Sequence, residues 1–162
     1  MNDVTPGAGR QSVAIYLRGS SSNRRWQRAE CKNFAAAHYG GVPVEFYEDG
    51  ERCADGRWSE ADRLMLDLEA GALSAVIINY GLTRFIRTSA MLERLAESWV
   101  PIYSVHGEGF DLSTSDGRFK FRSVAAMGLH QAEASSTRAR DLVWGRRGRR
   151  GRRDRKGDVS DG

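Results

Sequence analysis

Ser12-Val13-Ala14-Ile15-Tyr16-Leu17-Arg18-Gly19-Ser20-Ser21-Ser22-Asn23 is the stretch from which the rest of the chain can be read. Val13 to Leu17 is an apolar run of the length of a short buried strand. It ends in an arginine. One residue later come three serines beside a glycine, in a segment (Gly19 to Arg25) that reads as a loop. Such a strand hands a cation and then a hydroxyl to a loop, which are the parts of a nucleophile site. Serine is a weak nucleophile and needs a neighbour that stabilises developing charge, and Arg18 stands where it could be one. Gly-Ser loops after strands are also ordinary turn chemistry.

A second apolar strand, Ala75 to Asn79, runs into Tyr80-Gly81-Leu82-Thr83-Arg84-Phe85-Ile86-Arg87. Its two arginines are three apart, so one helical turn would put both on one face. Between these strands the chain alternates. Trp26 to His38 reads as a helix with Trp26, Cys31, Phe34 and Ala35 inward, stopped by Gly40-Gly41. Val42 to Tyr47 reads as a strand. Ser59 is placed to cap a helix whose apolar face is Ala61, Leu64, Met65 and Leu68. Ser89 is placed to cap another, with Met91, Leu92 and Leu95 inward. Val100 to Val105 reads as a strand and His106 to Asp116 as a loop. Ser115 or Asp116 then caps a long last helix. Its first half has an apolar side made by Phe119, Phe121, Val124, Ala125, Met127, Gly128 and Leu129.

Strands and helices alternating at this spacing predict an α/β fold with a mostly parallel central sheet. Functional residues of such folds collect at the carboxyl ends of the strands. The Arg18–Ser22 segment and the segment after Asn79 both lie at that end.

Composition narrows the class. A chain of 162 residues with 40% hydrophobic residues has enough material for one domain with a core. The expected division is a flexible lead over 1–11, a folded domain over 12–144 and a disordered arginine-rich tail over 145–162. No apolar run approaches the roughly 20 residues of a membrane helix. The first ten residues have no apolar signal core, so a cytoplasmic protein is expected. Cys31 and Cys53 have no metal-ligand spacing and read as free thiols. His38, His106 and His130 are too scattered for a ligand pattern, so neither a metal nor another cofactor is expected. The formal net charge of +4 belongs to the tail, where eight Lys/Arg stand against three Asp/Glu, leaving 17 basic and 18 acidic residues elsewhere.

Five motifs, in order, resemble the serine site-specific recombinases: resolvases, DNA invertases and serine integrases. The catalytic domain of that family opens on Y-x-R-x-S, matched by Tyr16, Arg18 and Ser20. A Gln-Arg pair opening its first helix is matched by Gln27-Arg28, and the start of an acidic loop by Asp49-Gly50. Its L-D-R-L-x-R is matched by Leu82-Thr83-Arg84-Phe85-Ile86-Arg87, apart from the aspartate. Its D-T-S-T-x-x-G-R is matched by Asp111 to Arg118. The resemblance covers roughly Ser12 to Arg140 and implies a resolvase-like three-layer domain with a long C-terminal helix.

The resemblance also implies a chemistry. Ser20 would attack a DNA phosphodiester and keep the 5′ phosphate, with Arg18, Arg84 and Arg87 as fixed cations. Tyr16, Gln27, Asp49, Thr83 and Arg118 would support them. DNA is the implied partner, on a homo-oligomer (dimer or tetramer) or a hetero-oligomer with a full-length recombinase, associated with the nucleoid and carried by a phage or mobile element. The last helix would form the dimer interface; its ordinary reading is a packing helix. Arg146, Arg147, Arg149, Arg150, Arg152 and Arg153 would bind phosphates without reading bases.

Three departures qualify this expectation. Thr83 replaces the family's carboxylate. The loop between Ser22 and Gln27 is short and lacks an acidic residue. The family's A-E-x-E-R on the last helix reads here as Gly128-Leu129-His130-Gln131-Ala132. Resolvases also carry a helix-turn-helix after this domain, where only the basic tail follows here. A catalytically impaired DNA-associated protein, or a truncated remnant, is therefore the alternative expectation.

Overall fold

Strand β1 (Ser12–Arg18) lies inside a five-stranded sheet. Its residues from Val13 to Leu17 are all buried, as expected for a strand covered on both faces. The computed structural model describes residues 11–51 and 58–154. The order is β1, α1 (Ser21–His38), β2 (Val44–Asp49), α2 (Ser59–Glu69) and β3 (Leu73–Ile78). A 3₁₀ turn (Leu82–Arg84), α3 (Ser89–Glu97), β4 (Ile102–Ser104), β5 (Gly109–Phe110) and α4 (Ser115–Asp154) complete it. The strands stand side by side as β2-β1-β3-β4-β5. All pairings are parallel except β4 with β5.

Alternation along the strands builds two cores. Val13, Ile15 and Leu17 of β1 and Ala75 and Ile77 of β3 meet Cys31 and Ala35 of α1. Ala14, Tyr16, Val76 and Ile78 face the other way, onto α2, α3, the 3₁₀ turn and the first part of α4, including Phe121 and Ala125. The result is the expected three-layer α/β domain with its long C-terminal helix. Helices α1 and α2 cover opposite faces, so the chain changes direction across the sheet between β1 and β3. In open α/β sheets a crevice forms at such a switch point, at the carboxyl ends of the strands.

Several boundaries differ from the expected ones. The segment after Arg18 is only Gly19 and Ser20; α1 begins at Ser21, because Ser20 is extended (φ −61°, ψ 162°) and its Oγ accepts from the Asn23 amide as an N-cap. Trp26 is 47% exposed, and Gln27 takes the inward position with Cys31 and Ala35. Strand β2 starts two residues late, after Pro43. Thr88, not Ser89, caps α3 through the Met91 amide. The loop expected over 106–116 contains β5, too short to show a period. Helix α4 runs to Asp154 without a break at Trp144, so the expected tail boundary is not marked in the backbone. The side chains of Arg146, Arg147, Arg149, Arg150, Arg152 and Arg153 lie outside the described residues, as do Cys53 and residues 1–10 of the expected 1–11 lead.

Candidate active site

Gly19 links the end of β1 to the start of α1 at φ +138°, a backbone that side-chain-bearing residues rarely adopt. A Cβ there would lie 3.4 Å from Asn23 Cβ, an ordinary contact, so the backbone conformation rather than space is what calls for glycine. The turn therefore delivers Ser20 directly to the N-terminus of α1. Ser20 Oγ is 3.4 Å from the Asn23 amide and 3.2 Å from Ser22 Oγ. No acidic residue occupies the first turn of α1. Free amides and the positive end of the helix dipole make such a terminus favourable for an anion.

Gln27 fixes the residue before this turn. Its side-chain oxygen accepts from the Arg18 amide at 3.2 Å and its amide nitrogen donates to the Arg18 carbonyl at 3.0 Å. The side chain is 3% exposed; burial is affordable for it because both ends are paired. Arg18 is thereby set in place by its backbone, leaving its guanidinium to be directed by other contacts.

One of those contacts is with Trp58, which packs against the α2-side core. The Arg18 guanidinium carbon stands 4.0 Å from the Trp58 ring centroid, and that of Arg87 5.1 Å. Both lie within cation–π range. Two arginines from the ends of different elements, 69 positions apart in the chain, thus meet on one indole. Arg87 follows the 3₁₀ turn, and Phe85 and Ile86, both buried, anchor it. The expected single turn carrying both arginines is replaced by this shorter one. The backbone of Arg84 closes the turn; its side chain lies outside the described residues. A small pocket beside this group is lined by Tyr16, Arg18, Gln27, Ile78, Asn79, Tyr80 and Phe85, at the β1/β3 switch point.

Asp49 has a different task. It is 3% exposed. Its carboxylate accepts from the Tyr16 hydroxyl at 2.9 Å and from the Glu60 and Ala61 amides at 3.3 and 3.1 Å. It caps α2 from a distance, since Trp58 at the N-cap position makes no side-chain cap. The expected cap, Ser59, is the first residue inside the helix. Tyr16 and Asp49 brace the floor of the site by tying β1, β2 and α2 together.

A family model described as "Resolvase, N terminal domain" matches residues 13–152. This chain belongs to the resolvase family. The solved structure titled "Crystal Structure of the N-terminal Catalytic Domain of TP901-1 Integrase" has the same fold. It matches with a TM-score of 0.55 and 24% identity, over 76% of this chain and 98% of that one. Comparison with curated proteins gives no match. Membership sets the activity at the level of site-specific recombination, with DNA binding and oligomerisation as its family-level partners.

Two resolvase motif residues stand elsewhere. Arg118 donates to the Leu112 carbonyl at 2.7 Å, and its guanidinium carbon lies over the Trp99 ring, 4.4 Å from the centroid. Trp99 precedes β4, so this contact lies toward the amino ends of the strands, away from Arg18. Trp99 holds φ +61°, where glycine is usual after a helix. Thr83 turns its methyl toward α4: a Cβ at Gly128 would lie 2.1 Å from Thr83 Cγ2. The absence of a side chain at Gly128 is what lets α4 pass so close.

Next to the pocket, Tyr80 joins Trp26 and His106 in a ring cluster, with Trp26 and His106 nearly parallel (7°) at 5.8 Å. Glu30 accepts from Asn79 at 2.8 Å and pairs with His106 at 2.7 Å. These bonds, Asn79 first, hold its carboxyl below the usual range. Burial pushes the Cys31 thiol up to about 12, which makes it an inert core group. Among the described residues no helix is long and apolar enough to cross a membrane, and no group of three His, Cys, Asp or Glu could hold a metal ion.

Proposed function

We propose that this chain cleaves and rejoins DNA strands through Ser20. The observation that carries the reading is the convergence of Arg18 and Arg87 on Trp58, at the strand end from which Gly19 presents Ser20. Ser20 Oγ attacks phosphorus and loses its proton as the bond forms. The bond to the 3′ oxygen breaks, that oxygen gains a proton, and the phosphate stays on serine as a 5′ phosphodiester link. Attack by a 3′ hydroxyl reverses the step, so rejoining needs no external energy. Charge accumulates on the phosphoryl oxygens, where forked guanidinium donors and helix amides act most strongly. Arg84 is the third cation of this reading. Arg18, Arg84 and Arg87 hold the phosphate; Tyr16, Gln27 and Asp49 hold the frame. Arg118, by contrast, serves the α3–α4 packing.

The assembly proposed is an oligomer joined through α4, whose Phe119, Val124 and Met127 are exposed. Arginines at the chain end supply salt-sensitive affinity, falling with a log–log slope of about −0.9 per neutralised phosphate on duplex DNA. One observation favours a second reading, a non-catalytic DNA-associated protein: Thr83 cannot carry the charge of the family carboxylate, and its methyl is committed to packing on α4.

The deciding experiment incubates the protein with supercoiled DNA carrying candidate sites from its own genetic neighbourhood. A denaturing gel then reads protein attached to 5′ DNA ends. An adduct that disappears in Ser20→Ala is the expected result. DNA binding that is salt-sensitive, with no adduct and no effect of Ser20→Ala, selects the second reading.

A further inference from the structure

We infer that Trp58 is a positioning residue for the phosphate-binding cations: its indole face holds the Arg18 and Arg87 guanidinium groups together before substrate arrives. The inference rests on the cleavage reading above and adds a residue that none of the family motifs in this chain contains. Two like charges facing one phosphate repel each other while the phosphate is absent. An electron-rich ring in contact with both offsets part of that repulsion, because its quadrupole is negative on the face. A guanidinium held against a ring face loses rotational freedom, so it is closer to the orientation in which its planar N–H donors fork onto phosphate oxygens. In the structure the Arg18 guanidinium carbon stands 4.0 Å from the Trp58 ring centroid and that of Arg87 5.1 Å.

The ring is itself well placed to do this. Trp58 packs on the buried cluster that contains Leu64, Met65 and Phe85. It also occupies the N-cap position of α2, and Asp49 anchors that helix terminus through the Glu60 and Ala61 amides. The platform is therefore tied to the same Asp49 that braces Tyr16. Preorganisation of this kind acts on the chemical step, because the donors need not reorganise as charge develops.

Two substitutions separate the ring's electrostatics from its bulk. Trp58→Phe keeps an aromatic face; Trp58→Leu keeps apolar packing without one. The rate of adduct formation at saturating DNA should fall on the order of 10-fold in Trp58→Leu, the equivalent of one or two cation–π contacts. It should stay within about 3-fold of the parent in Trp58→Phe, a milder loss on the same scale. The salt slope of DNA binding should be unchanged in both, since no cation is removed. Equal rates in the Phe and Leu variants, or equal losses that track thermal stability, would overturn the inference.

A second measurement does not depend on cleavage. The side-chain Nε–H resonances of Arg18 and Arg87 should be shifted by the indole ring current and return to ordinary positions in Trp58→Leu. Inorganic phosphate should perturb both in the parent at lower concentration than in Trp58→Leu. Unshifted resonances, or equal phosphate titrations, would refute the platform. If the parent forms no Ser20-dependent adduct but passes this test, the cleavage reading fails and the platform stands.

Discussion

Gly128→Ala probes the contact on which the arginine-bearing turn depends. In an exposed helix, glycine to alanine gains roughly 0.8–1.0 kcal/mol. Here the new Cβ would come 2.1 Å from Thr83 Cγ2 and 3.4 Å from Thr83 Cβ. Carbon atoms rest about 3.5–4.0 Å apart, so the first contact overlaps severely and the second is merely tight. Overpacking of this kind costs about 1–3 kcal/mol. Gly128→Ala alone should therefore destabilise by up to about 2 kcal/mol, net of the helix gain. Thr83→Ala removes the colliding methyl. In that background the same Gly128→Ala should stabilise by up to about 1 kcal/mol. The assay is urea unfolding of the four proteins of a double-mutant cycle, with a coupling of about 1–3 kcal/mol expected. Adduct formation, read in parallel, should fall in Gly128→Ala and recover in the double variant, because the displaced element is the turn leading to Arg84 and Arg87. A Gly128→Ala effect that is the same in both backgrounds would refute the packing of α4 on this turn.

Other outcomes follow from single contacts. Ser20→Ala should abolish adduct formation and also cost about 1 kcal/mol, because Ser20 caps α1; Ser20→Gly should lose activity with only a few tenths of that cost, both read by urea unfolding. Asp49→Ala leaves the Tyr16 hydroxyl and the Glu60 and Ala61 amides without their acceptor. It should destabilise by roughly 2–4 kcal/mol, more than Asp49→Asn, with the excess seen as faster amide exchange at the start of α2. Glu30 has a lowered carboxyl pKa, so its bonds to Asn79 and His106 contribute stability above the unfolded-state value and lose it as pH falls through the folded one. Amide exchange around His106 should accelerate in that acid window and show no such step in Glu30→Gln. Cys31, buried and with its thiol pushed up to about 12, should react with iodoacetamide only upon unfolding.

The parts legible in the sequence were those with a local period or a tight spacing. Val13 to Leu17 is apolar throughout because α1 and α2 cover both of its faces. Ala61, Leu64, Met65 and Leu68 repeat at helical spacing because one side of α2 meets the sheet, and all four are buried. From the strand–helix alternation alone, the Arg18 segment and the post-Asn79 segment belong at one end of the sheet, and Arg18, Asn79 and Tyr80 do line one pocket. What stayed hidden was set by tertiary partners. Trp58 reads as an unremarkable residue before a helix, since nothing near it announces two arginines arriving from β1 and from beyond the 3₁₀ turn. Asp49 caps α2 through amides 11 and 12 residues further on, which no capping-box pattern covers. Gln27 did leave a signal: with Cys31 and Ala35 it repeats at i, i+4 and i+8, the spacing of an inward face. A polar residue on that stripe implies a buried backbone partner, and Arg18 supplies one.

The two most conspicuous departures from the family pattern, Thr83 and the stretch beginning at Gly128, look independent in the chain, being 45 positions apart. In the fold they are one contact. A carboxylate at 83 would bring charge to the surface of α4, while a methyl needs only a helix without a Cβ opposite it. The pair is thus consistent with a different way of seating the arginine turn, by close packing rather than by an acid–arginine bond. On that view the loss of charge at Thr83 need not disable the site, because Trp58 gathers Arg18 and Arg87 without it. The coupling between 83 and 128 and the Trp58→Leu rate test this view jointly. Strong coupling with a large Trp58 effect means the cations are ordered by packing and stacking. Strong coupling with no Trp58 effect leaves Thr83 as a packing residue in a site that has lost its means of ordering charge.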